Sequence, residues 1–85
     1  EGGRVRRLKP AAGFCELPSA KVFASLAEGE ARRFVAASCR EMKALGIDFD
    51  LAPVIDLDTN PDNPNIGRIE RAFSADPAEV ARCAR

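Results

Sequence analysis

Two hydrophobic periods divide the middle of the chain. From Glu30 to Leu45, the residues Ala31, Phe34, Val35, Ser38, Met42 and Leu45 recur at spacings of three and four, while Glu30, Arg32, Arg33, Arg40, Glu41 and Lys43 take much of the other side. That is the period of an amphipathic helix, and Gly46 is placed to end it in a left-handed cap. The mixed charges read as a wetted face rather than a partner site. Directly afterwards Ile47, Phe49 and Leu51 alternate with Asp48 and Asp50, and Ala52-Pro53-Val54-Ile55 is apolar on consecutive positions. Consecutive apolar residues suit a strand covered on both faces, so the pattern predicts an α/β protein with a parallel sheet flanked by helices. Pro53 cannot donate to a central ladder, which points to a bulge or an irregular rim at that position.

The rest of the chain is less periodic. The stretch Pro10 to Pro18 predicts a surface loop with Phe14 and Leu17 turned inward. Ser19 is a cap for a short helix through about Leu26, with Val22, Phe23 and Leu26 on one side and a break at Glu28-Gly29. After Asp58 the run T-N-P-D-N-P-N-I-G is dense in turn formers: proline fixes φ and asparagine tolerates left-handed geometry. Arg68, Glu70 and Arg71 follow, with Phe73 as a buried anchor. Asp76-Pro77-Ala78-Glu79 opens a further helix, with an Asx cap, proline at the first helical position and Glu three residues beyond the cap. Val80 and Ala84 are expected to face the core.

One strong strand is visible in 85 residues, and a lone parallel strand leaves its backbone groups unpaired. With a start at Glu1-Gly2-Gly3, no initiator Met, and a stop at Arg85 shortly after a helix start, the expectation is a piece cut from something larger, one partial domain at most.

Charge narrows the partners. Basic and acidic residues balance at 13 each, which argues against retention on nucleic acid or anionic lipid by bulk charge. No apolar run approaches the roughly 18 residues needed to span a bilayer, so the chain reads as soluble with no membrane segment. Cys15, Cys39 and Cys83 are far apart and have no CxxC spacing or histidine partner, so neither a zinc site nor a disulfide framework is indicated. Reduced thiols point weakly to a reducing compartment.

Glu1 to Lys9 joins Gly2-Gly3 to Arg4, Arg6, Arg7 and Lys9. A glycine pair after a strand end would bring main chain close to a ligand, and the spacing of a Walker loop or GxGxxG is absent. The arginine forks suit adjacent sugar hydroxyls or a carbonyl as well as an anion, and a solvated basic turn is the plain alternative.

Four blocks taken together carry a resemblance. E-G-G-R-V-R-R-L at 1–8, L-P-S-A at 17–20, L-G-I-D-F-D-L-A-P-V-I-D-L-D at 45–58 and N-P-N-I-G-R-I-E-R-A-F-S-A-D-P at 63–77 resemble the N-terminal domain of glycoside hydrolase family 3, closest to its β-N-acetylhexosaminidase branch. The resemblance spans essentially the whole chain. It implies a fragment of a (β/α)8 TIM barrel: the loop after strand 2, the helix following it, strand 3 and the loop into the third helix. A complete barrel takes about 250 residues, so this would be about a third of one.

The resemblance also implies site residues. A sugar-contacting arginine of the opening motif maps onto Arg7, and a sugar-binding aspartate of the family would fall just before Glu1. A second sugar-binding arginine lies in the loop before the D-P helix start, where Gly67 to Phe73 is two residues longer than the hexosaminidase form. Counting back from Phe73 selects Arg71 and counting forward from Gly67 selects Arg68, with Arg71 favoured because A-F-S-A-D-P then aligns without a gap. Asp56, at the predicted strand end, is expected to organise the loop by accepting amide hydrogen bonds or orienting an arginine rather than to act in catalysis.

Retaining glycosidases need a nucleophilic carboxylate and a general acid, about 5–5.5 Å apart in the two-carboxylate form. Asp48, Asp50, Asp56 and Asp58 could suggest such a pair. The resemblance instead puts the nucleophilic aspartate on a later strand and a histidine acid/base in a later loop, and this chain has no histidine. The implied parent is a retaining exo-glycosidase acting on terminal β-linked N-acetylglucosamine, in peptidoglycan recycling or chito-oligosaccharide breakdown. Its implied partner is the carbohydrate, with no cofactor, metal or nucleic acid, and the expected location is cytoplasmic, with export as the alternative. The 85-residue chain itself holds no catalytic residue and is expected to be inactive. The alternatives are a family 3 β-glucosidase and a non-catalytic carbohydrate-binding remnant.

Overall fold

The computed structural model describes residues 2–85. Glu1, the first residue of the E-G-G-R block, lies outside the described residues. Among the described residues, three α-helices and one 3-10 turn make up the regular structure: a turn at Pro10–Ala12, α1 at Ala20–Phe23, α2 at Glu28–Ala44 and α3 at Pro77–Cys83.

Each helix begins and ends for a local reason. Ser19 is extended and its hydroxyl accepts from the Val22 N–H at 3.4 Å, which caps α1 as expected, although α1 stops at Phe23 rather than near Leu26. The helix α2 starts at Glu28, two residues before the predicted start, so Gly29 lies in its first turn instead of breaking the chain. Its end is a Schellman motif: Gly46, at φ 81°, donates to Lys43 O at 3.0 Å and Ile47 N donates to Met42 O at 3.0 Å, so two of the last carbonyls are satisfied. Asp76 caps α3 by accepting from the Ala78 N–H at 2.9 Å. The reciprocal half of a capping box does not form. Ser74 Oγ takes the Asp76 N–H at 3.0 Å, and Glu79 turns instead to Arg82 at 2.8 Å.

The core is small. Ala72, Phe73 and Val80 are buried, together with the polar Ser19, and Ala84 stays exposed. Phe23 of α1 meets Phe34 of α2 with ring centroids 6.3 Å apart, and Arg82 Nη2 donates to Ala24 O at 2.9 Å, tying α3 to the end of α1. No residue of α2 is fully buried, and Val35 and Leu45 of its apolar stripe are about half exposed, at 49% and 53%. The accessible surface of 5968 Å² exceeds the about 4,900 Å² that a compact monomer of this mass presents, so much of the apolar surface stays wet.

The α/β expectation is corrected here. No strand forms among the described residues, and the chain is not a piece of a (β/α)8 barrel containing strands 2 and 3 with their helices. The stretch 47–58 has no regular secondary structure and is unladdered. Ile47 N belongs to the helix cap, Asp58 N donates to Ser74 O at 3.1 Å, and no backbone N–H from Asp48 to Leu57 donates to another main-chain group among the described residues. Its apolar side chains face water, with Phe49 79% and Leu51 84% exposed. Apolar content alone does not make a strand. A strand is stabilised by its neighbours' donors and acceptors and by cross-strand side-chain pairs, and these residues have no paired strand among the described residues. Pro53 removes one donor more, and the Ala52–Pro53 peptide bond is cis.

Candidate functional site

The arginine loop is built from its own side chains upward. Asn60 Oδ1 accepts from the Asp62 N–H at 3.1 Å, and Asn63 Oδ1 accepts from Asn65 N at 2.8 Å and Ile66 N at 3.1 Å, two Asx turns that replace missing backbone partners. The main chain then folds back on itself: Arg68 N donates to Asn63 O at 3.0 Å, Glu70 N to Gly67 O at 3.1 Å and Arg71 N to Ile66 O at 3.0 Å. Gly67 is required at the centre, since a Cβ there would lie 2.6 Å from Pro61 Cα and O. Ala72 and Phe73, 2% and 8% exposed, anchor the outgoing end.

Two links join this loop to the start of the chain. Arg4 Nη1 donates to Arg68 O at 3.2 Å, and Ser19 Oγ donates to Glu70 Oε2 at 2.9 Å. The glycine pair serves this junction. A Cβ on Gly2 would sit 1.8 Å from Pro18 O, and Gly3 N donates to Leu17 O at 2.8 Å, so the close approach expected toward a ligand is made toward the chain's own main chain.

Of the three arginines singled out from sequence, Arg71 is the most constrained. It is half-buried, and its Nη1 donates to Asn65 O at 3.3 Å. Arg68 is exposed and contributes its backbone to the junction. Arg7 is exposed on the same N-terminal segment as Arg4 and shares no hydrogen bond with Arg68 or Arg71. Asp56 is exposed and has no hydrogen bond to another described residue, while the loop's amides are satisfied by Asn60 and Asn63. Asp58 is the half-buried member of the acidic run: its Oδ1 is shut off from solvent and has no hydrogen-bond partner among the described residues.

Sequence reading missed Glu70 and Ser19 as a pair. They are 51 positions apart, and only the S-A after L-P and the E before R-A-F hinted at polar groups there. Two surface depressions lie elsewhere. One, of about 360 Å³, is lined by Cys39, Met42, Lys43 and residues 47–50, and the other, of about 330 Å³, by Cys15, Glu30, Arg33, Phe34 and Ala37. Neither takes in Arg7, Arg68 or Arg71. Among the described residues no cluster of His, Cys, Asp and Glu could hold a metal, and no helix is long and apolar enough to cross a membrane.

The loop therefore holds Arg71 against Asn65 O and is joined to the N-terminal segment through Arg4 and Ser19. Comparison with known proteins gives the chain its family. The profile of the glycosyl hydrolase family 3 N terminal domain matches residues 1–85, and the chain belongs to this family. It is 40% identical over 91 residues to the β-hexosaminidase of Methylococcus capsulatus, covering 100% of this chain and 25% of that protein. It is 42% identical over 81 residues to the β-hexosaminidase LpqI of Mycobacterium tuberculosis, covering 94% of this chain and 20% of the relative. A β-hexosaminidase of Hydrogenovibrio crunogenus is 42% identical over 89 residues, covering 96% and 24%. The chain thus spans a quarter or less of the length of these relatives. No solved structure matches it.

Proposed function

We propose that the full-length protein carrying this chain is a retaining exo-glycosidase that removes terminal β-linked N-acetylglucosamine from peptidoglycan or chitin-type fragments. The observation that carries this reading is the 40–42% identity, over at least 94% of the chain, to proteins named β-hexosaminidase. In this reading residues 63–73 and the N-terminal turn form one wall of the sugar pocket. Arg71 and Arg7 donate to ring hydroxyls or the acetamido carbonyl, a task suited to a rigid guanidinium that stays charged at any working pH. Arg68 is the alternative to Arg71, and Asp56, exposed and without a hydrogen bond to another described residue, is given no part in catalysis.

Bond cleavage is assigned to other parts of the protein. A retaining mechanism needs a nucleophile and a proton donor on either side of the glycosidic bond. The chain has no histidine, and Asp48, Asp50 and Asp56 are exposed, with Asp48 paired to Lys43 rather than set opposite a second carboxyl group. Comparing nitrophenyl N-acetylglucosaminide with nitrophenyl glucoside as substrates of the full-length protein tests the reading. A preference for the N-acetyl sugar supports it, and a preference for the glucoside moves the protein to the β-glucosidases of the same family.

A further inference from the structure

We infer that Glu70 is a positioning residue that, through Ser19, fixes the direction in which Arg71 is presented to the sugar. The inference rests on the reading of Arg71 as a sugar contact.

Glu70 has φ 56°, the left-handed region, and among the described residues no other non-glycine residue does. Glutamate has no local preference for that conformation, so contacts from outside the loop must hold it there. Ser19 supplies one. It is 5% exposed, and its single O–H is directed to Glu70 Oε2 at 2.9 Å while its oxygen accepts the Val22 N–H, so the hydroxyl is fixed from both sides. A second contact, weaker by distance, runs from Lys21 N to Glu70 O at 3.5 Å. The next residue is Arg71, followed by the buried pair Ala72 and Phe73. Arg71 therefore emerges between a left-handed turn clamped to α1 and an apolar anchor. Losing the clamp lets the turn relax to a right-handed conformation and re-aims the guanidinium. A misplacement of about 1 Å in a substrate-holding group lowers turnover by up to about a hundredfold.

The test uses the full-length protein and nitrophenyl N-acetylglucosaminide, comparing kcat/KM for wild type, Glu70→Ala, Glu70→Gln, Arg71→Ala and the double variant Glu70→Ala/Arg71→Ala, with thermal midpoints recorded in parallel. Glu70→Ala is expected to lower kcat/KM by about 10- to 100-fold. Glu70→Gln, whose amide oxygen still accepts from Ser19, keeps most of the activity. The double variant is no worse than Arg71→Ala alone, because Glu70 acts through Arg71. The inference is overturned if Glu70→Ala leaves kcat/KM unchanged, or if it lowers it by the same factor with Arg71 already removed, as a purely stabilising residue would. Should Glu70→Ala fail to fold, Ser19→Ala replaces it under the same criteria, since it removes the donor and leaves the carboxylate. A wild type that turns over no glycoside overturns the functional reading and this inference together, an outcome distinct from an active wild type with a neutral Glu70→Ala.

Discussion

Glu41 holds Cys15 at two points. Oε1 accepts the Cys15 backbone N–H at 2.8 Å and Oε2 accepts the thiol at 3.0 Å, so one carboxylate on α2 pins the loop that follows the 3-10 turn. The hydrogen bond from the thiol, then burial, then the charge of Glu41 push the Cys15 pKa up from its ordinary value.

The chemical consequence is a sluggish thiol, since the thiolate is the nucleophile. Alkylation by iodoacetamide near pH 8, followed by peptide mass mapping, should label exposed Cys39 before Cys15, and Glu41→Ala should speed labelling of Cys15. Equal rates at the two cysteines would contradict the geometry. The sign for stability follows from the folded thiol holding its proton more tightly than the unfolded one. Its contribution is fully present below the ordinary thiol range near pH 8.5 and is lost as pH rises through the raised folded value. In Glu41→Ala that alkaline decline should flatten.

The caps of α3 separate two roles that sequence alone would merge. Asp76→Ala removes the acceptor for the Ala78 N–H and should cost about 1 kcal/mol in denaturant unfolding. Glu79→Ala removes only a partly exposed pair with Arg82, because Ser74 already satisfies the Asp76 N–H, and should cost clearly less than Asp76→Ala. Equal losses would mean that the capping box forms after all.

What could be read from the sequence divides by range of interaction. The α2 helix with its Gly46 terminus, the Ser19 and Asp76 caps, the Asn-rich turns and the buried Phe73 all depend on residues within a few positions of one another, and each is found. The strand predicted from Ile47 to Ile55 depends on partners elsewhere, and its apolar pattern described a surface that needs covering without saying what covers it. The same limit hid the site's support. Arg7, Arg68 and Arg71 could be named from motifs, but the Ser19–Glu70 bond and the contact from Arg4 to Arg68 O span 51 and 64 positions and leave no periodic trace.

The ambiguity between the two loop arginines resolves experimentally. With Arg71 half-buried and held to Asn65 O, and Arg68 exposed, Arg71→Ala in the full-length protein should raise KM by about tenfold or more, the scale of one lost charge-assisted hydrogen bond. Arg68→Ala should change KM little, because its contact to Arg4 is made by the backbone oxygen. Steady-state kinetics on nitrophenyl N-acetylglucosaminide reads both, and the reverse order would assign the sugar contact to Arg68.

Release of nitrophenol from nitrophenyl N-acetylglucosaminide, measured side by side for the full-length protein and the purified 85-residue chain, tests the central claim most directly. Turnover by the full-length protein and none above background by the chain is the predicted result. Substantial release by the chain alone would place catalytic groups within residues 1–85, and no release by the full-length protein would remove it from the active exo-glycosidases. Either result would contradict the division proposed here, between a wall that grips the sugar and groups elsewhere that break the bond.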